Sequence, residues 1–341
     1  MFRFDHCDDG NVRLFIGTKT NNIGYLSFKA HGKFEIPNSL YVRKERGHYY
    51  VSFCYEQGQP DRKLSTNEEH LAFLQGATRE YLEEHTMGVD RGVAIPVCAG
   101  EQTYDFTHSQ KKNMSKADRY IKRLQRKLAR QQKGSNRRAK TKHRIAVHHA
   151  KKANIRNDFA HKTSRLLVDS SAKIIVFEAL RTARMTRRPK AKQDEQGRFI
   201  SNKAKQKAGL NKSILNVGWH VIETYTYYKA YSSSKAVFKI PAPTTSQECA
   251  KCGHTHPDNR KTQALFVCGN CGNTDNADHN ASLVIKKRAI NLILDTGTVL
   301  SGDGVLRTQS DSGRGGNRKT GRAKSSTSSA QRSVKKEKLA A

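Results

Sequence analysis

The stretch CAKCGHTHPDNRKTQALFVCGNCGNTDNADHNA, residues 249–281, decides how the second half of this chain is organised. It contains two CxxC pairs that are separated by 15 residues. Each pair forms a tight knuckle, and two knuckles together present four thiolates tetrahedrally at about 2.3 Å from a zinc ion. A redox dithiol is the alternative, which the doubled spacing disfavours. The predicted ligands of a closed, structural zinc site are Cys249, Cys252, Cys268 and Cys271.

The charge of the chain indicates a polyanionic partner. Its 341 residues, enough for two or three domains, include 63 Lys and Arg against 30 Asp and Glu, a net charge of +33. Such an excess destabilises a compact state by self-repulsion unless a polyanion is bound. Nucleic acid is therefore the predicted partner. A membrane surface is the competing one, but there is no long apolar run and no lipidation signal. The cysteine usage favours a reducing compartment.

Short β-prone runs fill the N-terminal part of the chain. They lie at residues 14–17, 24–28, 40–42 and 49–53, with Gly, Asn and Pro between them. This pattern predicts a small barrel or meander within residues 1–85. Its aromatic side chains could stack on bases, but aromatic residues in strands more often form the core.

A basic helical hairpin is predicted over residues 115–172, with helices at about 115–133 and 140–172 and a break at 134–136. Positive charge with few balancing acids favours phosphate contact, and a solvated charged face is the alternative. The candidate nucleic-acid-binding residues of the first helix are Arg119, Lys122, Arg123, Arg126, Lys127 and Arg130. Further along, we expect flexibility at 181–212, a helix over 214–231 and disorder in the basic tail 295–341.

Three acids occupy unusual positions. Asp90 interrupts an apolar strand, Glu178 ends another, and Asp278 opens a helix. An isolated carboxylate in an apolar strand is costly unless it meets a cation. Carboxylates that converge from different elements can share Mg²⁺ ions, which prefer oxygen ligands and activate water against a phosphodiester. Spacing alone does not distinguish this arrangement from three unrelated surface acids.

The order of these motifs resembles that of the TnpB proteins, the insertion-sequence nucleases often called OrfB-type transposases, which are relatives of type V CRISPR effectors. The resemblance covers about residues 14–294. The segments that carry it, besides the cysteine pairs, are GVDRG at 88–92, the basic run at 123–135, DFAHK at 158–162, VFEAL at 176–180, GW at 218–219 and DHNAS at 278–282.

The resemblance implies an α/β fold: a RuvC-like (RNase H-type) nuclease domain at 86–294 that carries the basic hairpin and an inserted zinc ribbon at 244–277. A small β-barrel-like domain at 1–85, of the WED type, would precede it. It further implies an RNA-guided DNA endonuclease of a bacterial transposable element, acting in the cytoplasm at the nucleoid, with guide RNA and DNA as partners. Asp90, Glu178 and Asp278 would bind the catalytic Mg²⁺ ions.

Two features depart from the family pattern. Members usually place a helical recognition domain after the first barrel strand, whereas here the strands start almost at once, so we expect an N-terminally short barrel domain. Arg91 follows Asp90 where the family often has an apolar residue, and an arginine there could contact a phosphate. Two rival functions stay open, a non-cleaving RNA- or DNA-binding remnant and a transposase that joins strands.

Overall fold

The computed structural model describes residues 2–6, 11–18, 20–29, 34–45, 48–55 and 64–308, and it shows a mixed α/β protein. Strands β1 to β3 form an antiparallel sheet, and β4 pairs with β5. The two sheets meet at aromatic rings, with the Phe4 and Phe53 centroids 5.4 Å apart. Closure into a barrel stays a prediction. The strands are β1 Phe2–His6, β2 Asn11–Gly17, β3 Asn22–Lys29, β4 Ser39–Glu45 and β5 His48–Cys54.

The rest of the described chain alternates helices and strands. In order they are α1 Asn67–Leu74, α2 Arg79–His85, β6 Thr86–Asp90, β7 Val97–Ala99, β8 Gln102–Tyr104, α3 His108–Ala129, α4 Asn136–Asp169, β9 Ile174–Glu178, α5 Thr182–Met185, β10 Lys192–Gln193, β11 Phe199–Ile200, α6 Ala204–Val217, α7 Trp219–Ser232, β12 Ala236–Ile240, β13 Leu265–Val267, β14 Thr274–Asn276, α8 Ala277–Leu294, β15 Thr298–Leu300 and β16 Leu306–Thr308. None of these helices is both long and apolar enough to cross a membrane.

A five-stranded sheet with the order β12-β9-β6-β7-β8 forms the centre of this part. Strands β12, β9 and β6 are parallel, whereas β7 and β8 continue the sheet antiparallel. Alternate side chains of β9 point to opposite faces. Ile174 and Val176 join the cluster that contains α8, and Ile175 and Phe177 join the cluster that contains α4 and α7. The sheet is therefore covered on both sides, which suits its apolar central strands.

The basic hairpin is present, but it begins earlier than we expected. Helix α3 starts at His108 because Thr107 caps it: its hydroxyl accepts from the backbone N–H of Gln110, whose side chain in turn accepts from the N–H of Thr107. Helix α4 runs from Asn136 to Asp169.

Two expectations from the middle of the chain were wrong. The single helix expected over 214–231 is two helices, because Gly218 adopts φ 78° and breaks the chain between α6 and α7. The stretch 181–212, expected to be flexible, contains α5, the β10–β11 hairpin and the start of α6.

The expectation of disorder from residue 295 was also wrong for its first part. Strands β15 and β16 form a hairpin whose Leu306 is fully buried beside Ile293 of α8. The backbone N–H of Lys239 donates to the carbonyl of Gly304 at 2.9 Å, which attaches the hairpin to β12. The buried side chains of Val305 and Leu306, together with this hydrogen bond, order a segment that is otherwise polar. Residues 309–341 lie outside the described residues.

Candidate functional site

Two of the three predicted acids lie side by side at one end of the central sheet. In the parallel pairing of β6 with β9, Val89 is opposite Phe177. Asp90 and Glu178 each follow one residue later, at the carboxyl ends of neighbouring strands. Both are buried, with 9% and 7% of their surface exposed. Because parallel strands end at the same edge, two carboxylates far apart in sequence come together there.

Helix α8 brings the third acid to this edge. Asn276 caps the helix by accepting from the backbone N–H groups of Asp278 and His279 at 2.9 and 3.2 Å. The helix crosses β6 at Gly88, where an added Cβ would lie 2.7 Å from the backbone nitrogen of Lys286 and even closer to the carbonyl oxygen of Ser282. Only glycine allows this approach, which places Asp278 over the end of β6.

The pKa values of the three acids are raised because their carboxyl groups are buried. Burial, together with the charges of Glu178 and Asp278, raises the pKa of Asp90 to about 7. Burial also raises the pKa of Glu178, which the hydroxyl of Thr245 opposes by donating a hydrogen bond. The same cause raises the pKa of Asp278. Burial is the largest cause at all three carboxyl groups, so the ionised form of each is disfavoured without a cation nearby.

Sequence reasoning missed Arg260, which lies between the two cysteine pairs. Its Nη2 donates to Oδ1 of Asp278 at 3.1 Å and to the carbonyl of Gln263 at 2.9 Å. The guanidinium lowers the pKa of Asp278 against the effect of burial. No spacing pattern marks Arg260 among the 63 basic residues, so only the tertiary structure identifies it.

The expectation that Arg91 could contact a phosphate was wrong. Arg91 is 4% exposed and donates to the carboxylate of Glu223 at 2.6 Å and to the backbone carbonyl of Glu178. Its guanidinium also lies 5.0 Å from the ring centre of Phe177. Arg91 therefore connects the end of β9 with α7 from inside the protein, where no nucleic acid reaches it.

The four predicted zinc ligands come together in one cluster. Their sulfur atoms all lie within 4.8 Å of one another, with 3.7 Å between Cys249 and Cys271 and 3.6 Å between Cys252 and Cys268. A tetrahedron of thiolates about 2.3 Å from a central ion has sulfurs about 3.8 Å apart, whereas a disulfide bond is about 2.05 Å long. The donor set and its spacing therefore fit zinc.

The knuckles repeat one backbone design. Gly253 and Gly272, which follow the two cysteine pairs, have φ values of 77° and 69°, and each donates its N–H to the carbonyl of the first cysteine of its pair. A backbone hydrogen bond from His254 is the largest of the contacts that lower the pKa of Cys252, whereas the neighbouring sulfur atoms raise that of Cys271, so the four thiols share their protons unequally.

Two buried asparagines hold the segment that contains both cysteine pairs, residues 249–271 and here called the cysteine module, next to the three acids. The side chain of Asn280 on α8 donates to the carbonyl of Glu248 at 2.7 Å and accepts from the N–H of Ala250 at 3.0 Å. Asn259 links both knuckles in the same way, donating to His254 and accepting from Gly269. The module is thus held rigidly against the first turn of α8, beside Asp278.

The acids are less tightly gathered than the thiols. Among the described residues, the cysteines are the one group of three or more His, Cys, Asp or Glu side chains whose ligand atoms all lie within 4.8 Å. The three carboxylates are further apart, and the Arg260 guanidinium lies beside one of them.

The predicted nucleic-acid contacts form a continuous basic face of α3. All six side chains are exposed, and none has an acidic partner within the described part of the chain. Their spacing places them on one side of the helix, while Ile121 and Leu124 are buried on the other. The residues of this face are Arg119, Lys122, Arg123, Arg126, Lys127 and Arg130.

Comparison with known families agrees with these features. Residues 52–188 match the OrfB_IS605 family, described as "Probable transposase", and residues 219–285 match the Cas12f1-like TNB domain. The second match contains the cysteine module and the start of α8. These matches confirm the resemblance to the OrfB-type transposases.

Individual relatives share the larger part of the chain. It is 36% identical over 277 residues to the "Putative RNA-guided DNA endonuclease InsQ" of Escherichia coli (strain K12), covering 81% of this chain and 61% of InsQ. It is 27% identical over 263 residues to the CRISPR-associated endodeoxyribonuclease Cas12f1 of Sulfoacidibacillus thermotolerans, covering 74% of this chain and 53% of that protein. The chain thus spans little more than half the length of these relatives.

Among solved structures, a cryo-EM complex of Cas12f1 with sgRNA and target DNA is similar to this chain at 14% identity and a TM-score of 0.40. The match covers 80% of this chain and 59% of that one.

Proposed function

We propose that this protein is a transposon-encoded, RNA-guided DNA endonuclease that cleaves phosphodiesters with Mg²⁺. The observation that carries the proposal is the convergence of Asp90, Glu178 and Asp278, which three separate elements bring to one edge of the sheet. A protein that needed these positions only for folding would place apolar or neutral side chains there, because buried like charges destabilise it.

The residues fit a divalent metal. Three buried carboxylates with raised pKa values offer the oxygen ligands that Mg²⁺ prefers. A cation would offset the cost of burying them and the repulsion that Glu178 and Asp278 exert on Asp90. Bound there, Mg²⁺ would activate water and stabilise the leaving oxygen of a phosphodiester. Asp90, Glu178 and Asp278 would hold it, and Arg260 would orient Asp278 and, through its charge, the scissile phosphate.

We assign residues 86–294 to a RuvC-like (RNase H-type) domain. This assignment is supported by the central sheet, in which parallel and antiparallel strands combine and helices cover both faces. The zinc ribbon at 244–277 would be inserted directly before α8, whose first turn supplies the last acid. The strands within 1–85 would form the N-terminal β-barrel-like domain.

The partners proposed are a guide RNA and a DNA strand that pairs with it. The net charge of +33 and the unpaired basic face of α3 support a polyanionic partner of this kind. InsQ, by its name, is an RNA-guided DNA endonuclease, and this chain would share that activity. Base pairing would then supply the sequence specificity, and the protein the backbone contacts. Its place of action would be the bacterial cytoplasm, at the nucleoid.

The test is cleavage by the protein co-expressed with the DNA that follows its own gene. Co-purified RNA is sequenced, and a plasmid that matches it is incubated with the complex and Mg²⁺. We expect free DNA ends from the wild type and none from Asp90→Ala. The control is Asp169→Ala, since Asp169 is an exposed acid whose ion pair, within the described part of the chain, is with the exposed Arg165.

Each rival function predicts a different product. Bound RNA without cleavage by the wild type would favour the non-cleaving remnant, and DNA covalently joined to a target would favour a strand-joining transposase. Cleavage that persists in Asp90→Ala would overturn the assignment of the acids.

A further inference from the structure

A basic cleft of about 740 Å³ opens between α3, α4 and α6, away from the three acids. It is lined by five Lys or Arg side chains, by His149 and by a single acid, Asp118. Its walls come from three helices, so the charge is gathered by tertiary structure rather than by one helix. The five basic residues are Arg119, Lys122, Lys152, Arg156 and Lys212.

The acid of the cleft is already used within the protein. Asp118 accepts from Lys152 at 2.6 Å and from Lys212 at 3.0 Å. Lys152 is only 5% exposed and also donates to Asn216 at 3.2 Å. Burial alone would raise the pKa of Asp118, but the two ammonium groups outweigh it and lower that pKa. The Asp118 carboxylate therefore positions both lysine side chains along the cleft. Their charges neutralise its own, so it repels an incoming anion only weakly.

The remaining cations of the cleft make no direct contact with an acid. Within the described residues, the side chains of Arg119, Lys122 and Arg156 form no ion pair or hydrogen bond. Arg156 is half-buried, and burial lowers the pKa of its guanidinium, while the charge of Asp118 acts in the opposite direction. A guanidinium that is partly removed from water without a direct ion pair is costly, and a phosphate that accepts two of its N–H groups would offset that cost.

We propose that this cleft binds a backbone phosphate of a nucleic acid, with Arg156 as the principal donor. Continuity with the basic face of α3 supports an internal phosphodiester. From Arg119 to Arg130 that face extends about 16 Å along the helix, long enough to follow several successive phosphates. The proposal rests on the proposed function only for its nucleic-acid partner. It does not require that the protein cleaves DNA.

The first test places a negative charge in the cleft. Leu215 lines the cleft and is 58% exposed, so Leu215→Glu disturbs no core. Leu166→Glu is the matched control, because Leu166 is 54% exposed on α4 and does not line the cleft. The full-length protein is titrated in Mg²⁺-free buffer, at several salt concentrations, with a fluorescent single-stranded RNA and with its duplex with DNA.

We expect Leu215→Glu to weaken binding about tenfold and to reduce the salt dependence by about one phosphate contact. Leu166→Glu should stay within about twofold of the wild type. Arg156→Gln should weaken binding as Leu215→Glu does. Arg144→Gln is its control, because Arg144 is an exposed arginine of the same helix, and it should leave binding nearly unchanged. Equal effects of the paired variants would overturn the proposal.

The RNA is used with a 5′-hydroxyl and with a 5′-phosphate. If Arg156→Gln weakens binding of both equally, the cleft holds an internal phosphodiester. If it weakens only the phosphorylated RNA, the cleft holds a chain end and the backbone proposal is wrong. Because no divalent metal is present, these outcomes do not depend on whether the protein cuts DNA.

Discussion

Arg260 donates a hydrogen bond from Nη2 to Oδ1 of Asp278 at 3.1 Å, which joins the cysteine module directly to the acidic site. The module thus has more than a structural role, because one of its side chains forms an ion pair with a proposed metal ligand. Asn280 holds the two parts in the register that this contact needs.

Replacing Arg260 should therefore impair cleavage far more than nucleic-acid binding. We expect Arg260→Ala to lower the single-turnover cleavage rate about 100-fold, because it removes the preorganised cation that we propose acts on the scissile phosphate. RNA and DNA affinity should change less than about threefold, since one of many cations is removed. Lys261→Ala, at the exposed neighbouring position, is the control. A loss of affinity as large as the loss of rate would show that Arg260 serves binding only.

The metal-free protein should be stabilised by removing one of the buried charges. A raised pKa of about 7 in the folded state means that Asp90 destabilises the fold increasingly as the pH rises from about 4 to about 7. Asp90→Asn should therefore raise the free energy of unfolding by about 3 kcal/mol at pH 8 in Mg²⁺-free buffer, with little difference near pH 4.

Denaturant unfolding at both pH values measures this difference, and a chelator is avoided so that zinc is kept. Asp169→Asn, at the exposed acid, should show no such gain. A gain that is independent of pH would mean that charge repulsion at Asp90 is not its cause.

The cysteine cluster should hold one zinc ion per chain. Cys268→Ser should lower the zinc content from about one ion per chain to almost none, since three remaining thiolates no longer close the shell. Cys54→Ser should leave it unchanged, because Cys54 lies outside the cluster. Metal analysis of the purified proteins decides this, and full zinc content in Cys268→Ser would remove that cysteine from the ligand set.

Two glycine substitutions should act in opposite directions. Gly88→Ala forces α8 away from β6 and should destabilise the protein by about 3 kcal/mol. Gly209→Ala, in the exposed part of α6 with nothing within 4 Å, should stabilise it by about 0.5–1 kcal/mol. Thermal unfolding of the two variants provides the comparison. A tolerated Gly88→Ala would show that the crossing of α8 and β6 has room for a methyl group.

Sequence reasoning worked best where a local pattern has one physical meaning. Two CxxC pairs have few uses besides a metal site, so the cysteine cluster could be named in advance. The three acids could be named only with the help of the family resemblance, because spacing alone left unrelated surface acids as an alternative. It worked less well at element boundaries. Gly218 interrupts an otherwise helical stretch because it adopts φ 78°, and Leu306 orders a polar segment through contacts with α8 that no local pattern contains.

The sequence by itself named the residues that we propose for the chemistry: four thiols, three acids and a helix with a basic face, because residue type, short-range spacing and the family resemblance single them out. Only the tertiary structure decided which side chains meet. Arg260 reaches Asp278 because Asn280 fixes the module to α8, and Arg91 is buried against Glu223 instead of facing a phosphate. Long-range packing decides which partner each arginine contacts, because the side chains are chemically identical and only their neighbours in the fold differ.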